Sequence, residues 1–384
     1  DGVPDEATVA KVYDYLDRSR ATEAFLNCIP AMSMYSIREG QREAGQDASN
    51  KVIIFDTLLD SKSLFLTANT STMYALGFLD LKNDGPTVVE LPPRMLGILD
   101  DMAFLYMTDL GMAGPDKGKG GKFLVLPPGY KGEVPKGYFV VPSKTNGVWL
   151  FMRGYLDKSL PLDKAIPAAS ANIRNPLKVY PLSEKDQQPP MEFINVSGKK
   201  MNTILPNDYT FVEKLHDLIQ GEPDDYLGPE AKGMMAAIGI EKGKPFKPDE
   251  RMKKILTEAA AVGNATARAI SYRPRDRRLY FYDDRQWYSP YAPGSHEFVN
   301  ENGTLISNWR TFFHYMAIGV TPAMARSEVG RGSTYAFTAH DKSGDYLTGD
   351  KVYKVTLPAP IPAKDFWSFT VYDVQTRSML QTDQ

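Results

Sequence analysis

The segment Met73-Tyr-Ala-Leu-Gly-Phe-Leu-Asp-Leu-Lys-Asn-Asp-Gly-Pro-Thr-Val-Val-Glu-Leu-Pro-Pro93 contains two short apolar runs, separated by Asp84-Gly-Pro86 and closed by two prolines. Runs of this length between glycine and proline are typical of β-strands. The same pattern of short apolar runs between turn residues continues over residues 52–155. There we also predict strands at Val52–Phe55, Leu64–Ala68, Ala103–Thr108, Lys122–Leu126, Tyr138–Pro142 and Val148–Tyr155. Many short strands at this spacing favour an antiparallel sandwich or barrel over alternating βαβ units.

Helical patterns flank this region. Residues 5–45 predict two helices, the second running from Ala21 towards Glu43 with Pro30 as a kink or break. Further helices are predicted over Tyr209–Gln220 and Pro248–Ser271. Three more strands are predicted in the C-terminal region, at Ser333–His340, Lys351–Leu357 and Phe366–Tyr372. We therefore predict an α+β, β-rich fold, in which mixed β-sandwich or jelly-roll-like portions are joined by a helical segment.

The length of 384 residues exceeds what a single core commonly supports, about 250–300 residues. A polar, proline-bearing stretch at 183–192 marks a loop or boundary. We predict N-terminal helices over 1–45, a β-rich domain over 46–190, a helical connecting segment over 191–275 and a second β-rich domain over 276–384.

Composition and charge exclude several classes of protein. The 45 basic and 47 acidic residues nearly balance, whereas nucleic-acid-binding proteins concentrate positive charge, so no nucleic-acid partner is expected. No apolar run approaches the ~18–20 residues of a membrane span. The chain begins Asp-Gly-Val-Pro without an initiator Met, and removal of an upstream segment by export or by trimming explains this start equally. We predict a periplasmic or secreted protein.

The sequence lacks the familiar catalytic motifs. It has no P-loop, no dinucleotide-binding glycine pattern, no His-Glu-x-x-His and no Gly-x-Ser-x-Gly elbow. The single cysteine, Cys28, allows no intrachain disulfide and is expected to be a buried, inert thiol. Any chemistry must therefore come from side chains that no short motif identifies.

Polar residues within apolar stretches are the best candidates for a site. Thr67-Ala-Asn-Thr-Ser-Thr-Met-Tyr74 forms either a turn that caps its own backbone or the polar floor of a pocket. Arg153 lies inside the apolar run 150–155, so it needs a carboxylate partner or faces a cleft where an anion binds. His340-Asp341 is either an imidazole–carboxylate pair or two neighbours in a turn.

The carboxylates of the C-terminal region are too far apart along one strand to cooperate. Asp365 and Asp373 are eight residues apart, which is roughly 26 Å in an extended strand. The same objection applies to Asp101 and Asp109 if their segment is extended. The face of the predicted strand that carries Tyr372 mixes aromatic and hydroxyl groups, as the lining of a cavity does.

Long stretches of the chain resemble a known family. They are Asp60–Tyr74, Gly114–Lys122 with Leu126-Pro-Pro-Gly-Tyr130, and Pro362–Asp373 with Gln375–Asp383. These stretches resemble the paired domains of unknown function 1254 (N-terminal) and 1214 (C-terminal). The resemblance implies a mixed β-sandwich fold in a mostly bacterial protein, often made with a signal peptide, and it implies no established reaction. Similar proteins usually continue past the equivalent of Gln384, so we expect a fragment or a second chain that completes the C-terminal β portion.

The first functional hypothesis is a hydrolase that acts on a small aromatic or amphipathic substrate. Without a reactive cysteine, water activated by a carboxylate or by a carboxylate-bound divalent metal is the expected nucleophile. The expected catalytic residues are Asp373, Tyr372 and His340, and the expected substrate-binding residues are Asn69, Thr72, Tyr74, Arg153 and Arg377. The alternatives are a non-catalytic binding protein for hydrophobic or sugar-like ligands and a component of a strand-exchanged assembly, including a homo-oligomer.

Overall fold

The computed structural model describes residues 2–291, 294–326, 334–357, 359–363 and 367–381. Its strands are β1 (Lys51–Ile54), β2 (Met73–Asp80), β3 (Thr87–Leu91), β4 (Met95–Asp101), β5 (Tyr106–Gly111), β6 (Gly121–Leu126), β7 (Phe139–Pro142), β8 (Gly147–Gly154), β9 (Lys178–Pro181) and β10 (Glu192–Asn195). Its α-helices are α1 (Glu6–Glu43), α2 (Leu81–Asp84), α3 (Leu162–Arg174), α4 (Thr210–Gly221), α5 (Pro229–Ala236), α6 (Glu250–Tyr272), α7 (Ser307–Met316) and α8 (Pro322–Ala325). Short 3₁₀ turns occupy Leu182–Glu184, Asp224–Tyr226 and Arg277–Leu279.

The strands form two mixed sheets. The larger sheet has the order β10-β1-β2-β8-β4-β5, and the smaller has the order β7-β6-β3-β9. The pairs β1–β10 and β6–β7 are parallel, and the others are antiparallel. The predicted α+β class is thus confirmed, and its sheets pack as a sandwich.

Successive side chains of a strand point to opposite faces of the sheet, and both faces of the larger sheet are buried. On one face, residues such as Val52, Leu150 and Met152 pack against Val89 and Phe123 of the smaller sheet. On the opposite face, a second set packs in one core with the buried sides of α1, α4, α6 and α7: Ile53, Leu76, Phe78, Ile98, Trp149 and Phe151. The molecule therefore has three layers, helices over sheet over sheet.

The strands predicted in residues 52–155 are largely confirmed, with two corrections. Leu64–Ala68 is not a strand, because only Leu64 pairs, in an isolated bridge to Asn202. The strand β4 was not predicted, and the predicted strand Ala103–Thr108 begins only at Tyr106. The reason is a tight turn after β4, in which Phe104 has a φ of 62°.

The C-terminal strands were predicted wrongly. Within 334–357, 359–363 and 367–381 the backbone is irregular, and pairing is limited to isolated bridges such as Tyr288–Phe337, His340–Tyr346 and Tyr372–Met379. Ser333 and Phe366, which belonged to the predicted strands, lie outside the described residues. Alternating sequence predicts a strand, but a strand also needs a neighbour to accept its hydrogen bonds.

The two helices predicted in residues 5–45 are one helix of 38 residues, capped by the Asp5 carboxylate, which accepts from the Thr8 amide. Pro30 lies inside it and removes one N–H group. The C-terminal half of α1 buries a continuous apolar surface that includes Ile29, Met32 and Ile37. Burial of that surface outweighs the missing hydrogen bond, so the helix continues through the proline.

The helices α1 and α6 approach closely at Gly263. A Cβ at this position would lie 2.4 Å from Cδ1 of Phe25, whose buried ring stacks on Phe211. By contrast, a Cβ at the exposed Gly233 of α5 would meet nothing within 4 Å. Alanine at Gly263 therefore changes both helix propensity and packing, whereas alanine at Gly233 changes helix propensity alone.

We predict opposite effects for alanine at these two positions. Gly263→Ala should lower the free energy of unfolding by about 1–3 kcal/mol, because the buried Phe25 ring or one of the two helices would have to shift. The control Gly233→Ala should raise it by up to about 1 kcal/mol, since alanine has the higher helix propensity. Urea denaturation of both variants measures the difference, and stabilisation by both would contradict the close approach.

The turn between β4 and β5 is organised by Asp101, which is 4% exposed. Its Oδ1 accepts hydrogen bonds from the amides of Ala103 and Leu105, both at 2.9 Å. Burial raises the pKa of this carboxyl to about 6, although the two amides oppose the shift. The folded state therefore favours the neutral acid relative to the unfolded chain, where the pKa is about 4.

The sign of this shift gives a pH prediction. Between pH 4 and 6 the unfolded chain releases the Asp101 proton first, so this group lowers the stability of the fold as the pH rises through that window. Asp101→Asn keeps an acceptor oxygen for the turn and removes the titration. The unfolding free energy of the variant minus that of the wild type should grow from pH 4 to pH 6 and then level off. A difference that is constant with pH would refute the raised pKa.

Candidate functional site

A wide cleft opens on the helix-facing side of the larger sheet. Strands β2, β4, β5 and β8 form its floor, and segments between residues 268 and 380 form its walls. Its volume, about 4720 Å³, is several times the ~300–1,000 Å³ of a small-molecule pocket, so a ligand would occupy one part of it. The polar groups of the floor indicate which part.

Arg153 lies at the centre of this floor. Strand β8 pairs on both sides, and Arg153 lies opposite Tyr74 of β2 and Leu96 of β4. No Asp or Glu oxygen of the described residues lies within 4 Å of its guanidinium, and its Nε has no hydrogen-bond partner. Of the two alternatives for this residue, carboxylate pairing or exposure to a cleft, the structure favours the second.

Aromatic groups surround the Arg153 cation. The guanidinium carbon lies 5.9 Å from the centre of the Phe151 ring, and Arg153 lies opposite Tyr74 in the sheet. Burial opposes the charge, but the phenol groups of Tyr335 and Tyr74 outweigh it and raise the pKa of Arg153. The side chain is therefore a permanent cation at the base of an aromatic cleft.

The turn that carries Asn69 and Thr72 satisfies its own polar groups. Oδ1 of Asn69 accepts from the amide of Ser71 at 2.9 Å and from the hydroxyl of Thr72 at 3.2 Å. The hydroxyl of Tyr74 accepts from the amide of Asn69 at 3.2 Å. The predicted self-capping turn is thus present, and it also lines the cleft beside Arg153.

Tyr372 and Asp373 lie at the cleft, but their side chains already make hydrogen bonds within the protein. The Tyr372 hydroxyl donates to the carbonyl of Ala68 at 2.8 Å. Oδ1 of Asp373 accepts from the amides of Gln375 and Thr376 and from the Thr376 hydroxyl, at 2.7–3.0 Å. Burial would raise the pKa of Asp373, but these hydrogen bonds lower it. The geometry thus gives Asp373 a turn-capping role.

His340 lines another part of the cleft. Its Nε2 faces Nε of Arg273 at 3.4 Å, its ring lies 4.5 Å from that of Tyr346, and its Nδ1 has no partner. Burial and the Arg273 charge lower its pKa, so the imidazole is neutral at neutral pH. The neighbouring Asp341 instead accepts from the amides of Ser343 and Asp345. The structure therefore favours a turn over an imidazole–carboxylate pair.

Arg377 is 3% exposed and does not line the cleft. Its Nε donates to the carbonyl of Tyr315 at 2.9 Å, and its guanidinium carbon lies 4.1 Å from the centre of the Tyr315 ring. Its own carbonyl accepts from the amide of Thr67 at 2.9 Å. Arg377 thus ties the C-terminal segment to α7 and to the turn before β2.

Sequence reasoning missed two carboxylates that face the helical layer, Asp100 and Asp109. Oδ2 of Asp100 accepts from the amide of Val320 at 3.0 Å, whereas Oδ1 has no partner. Oδ1 of Asp109 accepts from the hydroxyl of Thr321 at 2.5 Å, and Oδ2 accepts from that of Tyr106 at 3.2 Å. Burial raises the pKa of both carboxyls.

The distance objection to Asp101 and Asp109 assumed an extended segment, and that condition is not met, because the chain turns back at residues 101–105 and places β5 beside β4. Period-two alternation would have placed Asp109 on one face of a strand. Only the hairpin register brings that face beside Ile98 of β4 and, through β4, near Phe151 of β8.

Among the described residues, no group of three or more His, Cys, Asp or Glu side chains is arranged to hold a metal ion. The predicted divalent metal therefore has no ligand set in that part of the chain. None of the helices found there is both long enough and apolar enough to cross a membrane.

Comparisons with known proteins bear out the family resemblance. Residues 49–181 match the model described as protein of unknown function DUF1254, and residues 332–384 match DUF1214, in the predicted order. No curated protein matches the chain.

A crystal structure of the VPA0106 protein from Vibrio parahaemolyticus is similar at 18% identity and TM-score 0.48, over 69% of this chain and 62% of that one. An uncharacterised protein from Burkholderia cenocepacia is similar at 12% identity and TM-score 0.26, over 69% of this chain and 61% of that one. The match thus spans less than two thirds of either relative.

Proposed function

We propose that the protein binds an anionic, largely apolar small molecule in the cleft, with Arg153 as the anchor for the anion. The observation that carries this proposal is a cation in the floor of the cleft with no carboxylate within 4 Å among the described residues. A desolvated charge without a counter-charge costs free energy, which an anionic ligand recovers.

The surroundings of Arg153 support an aromatic or aliphatic body for the ligand. Leu96, Ile98 and Phe151 line the floor next to it, and Tyr291 and Phe313 line the facing wall. Apolar and aromatic surfaces with a few placed polar groups are typical of small-molecule sites. A neutral sugar-like ligand, one of the alternatives from the sequence, would leave the Arg153 charge uncompensated and is therefore less well supported.

Hydrolysis remains a prediction with weaker support. The hydroxyl of Tyr372 and Oδ1 of Asp373 already make hydrogen bonds within the protein, and Nε2 of His340 faces Arg273. Among the described residues, no hydrogen bond or ion pair joins any two of these three side chains, so a catalytic set has less support than a binding site. Turnover of p-nitrophenyl butyrate by the purified protein above the buffer rate, lost in His340→Gln, would move hydrolysis ahead of simple binding.

The periplasmic or secreted location, and the homo-oligomer or second chain, also remain predictions. Exposed apolar side chains along the C-terminal segment, among them Val352, Val355 and Trp367, agree with a partner strand there. A binding protein for small anions has use for an exported location, where such ligands are captured outside the cytoplasm.

The anchor role of Arg153 predicts a preference for charge. Wild-type protein should bind biphenyl-4-carboxylate about tenfold or more tighter than neutral biphenyl-4-methanol, because hydrogen bonds to charged groups contribute about 1.5–3 kcal/mol. Arg153→Met should lose this preference, and Arg153→Lys should keep part of it. Isothermal titration calorimetry with both compounds measures the ratio of the two dissociation constants.

The matched control is Arg42→Met, which removes an arginine from α1 outside the cleft. This variant should keep the wild-type preference. If the preference survives in Arg153→Met, or disappears equally in Arg42→Met, the anion does not bind at Arg153.

A further inference from the structure

The floor of the cleft also carries an acidic side chain without a direct ion pair, opposite in sign to Arg153, and His296 is a basic side chain that interacts with it electrostatically. Asp109 lines the cleft and is 6% exposed. No Lys, Arg or His nitrogen of the described residues lies within 4 Å of its carboxylate. Its carboxylate oxygens accept hydrogen bonds from two neutral hydroxyls, those of Thr321 and Tyr106.

Strand register places the two charges on the same face of the sheet. Leu96 of β4 lies opposite Arg153 of β8, and Ile98, two residues further along β4, lies opposite Asp109 of β5. Residues directly opposite in an antiparallel pair share a face. Two strand spacings and one two-residue step separate the two Cα atoms by about 12 Å.

The surface between the two charges is apolar. Leu96, Ile98 and Phe151 occupy the intervening positions on this face, and all three line the cleft. A direct ion pair between Arg153 and Asp109 is absent, so each group is desolvated without a full counter-charge. A single ligand with a negative end and a positive end would compensate both groups at once.

We propose that Asp109 is the second pole of the cleft and binds a protonated amine on a ligand whose anionic end lies at Arg153. This proposal rests on the binding function proposed above and names its ligand class, an elongated zwitterion with an aromatic or aliphatic body. Each carboxylate oxygen of Asp109 accepts one protein hydrogen bond in the structure, and an ionised carboxylate oxygen has capacity for a second. The amine would take that remaining capacity.

The residues around Asp109 hold it in place. The Tyr106 hydroxyl accepts from the Asp109 amide at 3.0 Å as well as donating to its carboxylate. The edge of the His296 ring contacts the Tyr106 ring, with centroids 5.3 Å apart. Thr321 caps the N-terminus of α8 and approaches Asp109 from the opposite wall, so the carboxylate is fixed from two sides.

The test compares two rigid probes that differ only in the amine. Calorimetry at pH 7.5 should show that 4'-(aminomethyl)biphenyl-4-carboxylate binds wild-type protein about tenfold tighter than biphenyl-4-carboxylate, as a charge-assisted hydrogen bond predicts. Asp109→Asn should bring the ratio of the two affinities close to one. Asp284→Asn removes an exposed carboxylate that also lines the cleft, and this control should keep the wild-type ratio.

A second comparison does not depend on any variant being folded. On a one-ring spacer the amine cannot span the apolar floor, so 4-(aminomethyl)benzoate should gain nothing over benzoate. If the amine increases the affinity equally on both spacers, it binds elsewhere, and the proposal that Asp109 binds the amine is refuted.

The outcomes separate the two proposals. If biphenyl-4-carboxylate binds through Arg153 but the amine adds nothing in wild-type protein, the second pole is refuted and the anion-binding function stands. If the amine gain persists in Asp109→Asn, Asp109 is not its partner. If neither carboxylate binds in an Arg153-dependent way, the binding function fails and the zwitterion proposal fails with it.

Discussion

Pairing of β8 on both of its edges is the constraint on which the rest of the structure depends. All eight residues of β8 pair with β2, and seven of them also pair with β4. Both faces of this strand are covered, one by the smaller sheet and the other by the helical layer. A strand in this position has no solvent-facing side, so each of its side chains must fit a buried environment or a cleft.

Arg153 is the residue of β8 that conflicts with this constraint. Its neighbours on the same face are apolar or aromatic, and Phe151 and Trp149 continue the face into the helical core. A buried cation is tolerated when hydrogen bonds or a counter-charge compensate it. Here tyrosine hydroxyls supply part of that compensation, and the cleft leaves space for the remainder. Departure from the local pattern at a single position is typical of functional sites.

The carboxylates of β4 and β5 are arranged differently from Arg153. Asp100 and Asp109 accept hydrogen bonds from Val320 and Thr321, so they hold the segment before α8 against the sheet and shape one wall of the cleft. Burial disfavours their charged forms, which raises the pKa of both. Asp109, which also lines the cleft, therefore connects the packing of this segment with the electrostatics of the cleft.

The sequence by itself determined the α+β class, most strands of the first β-rich portion and the position of Arg153 within an apolar run, because these follow from local periodicity, turn residues and composition. The family resemblance came from long stretches of similar sequence. The sequence also identified Asn69, Thr72 and Tyr74 as polar residues of either a turn or the floor of a pocket. Only the tertiary structure decided that α1 continues through Pro30, that residues 334–357 form no strand and that Asp109 shares a face with Arg153. The physical reason is that these outcomes depend on packing and on strand register between segments distant in the chain, and neither is encoded in local spacing.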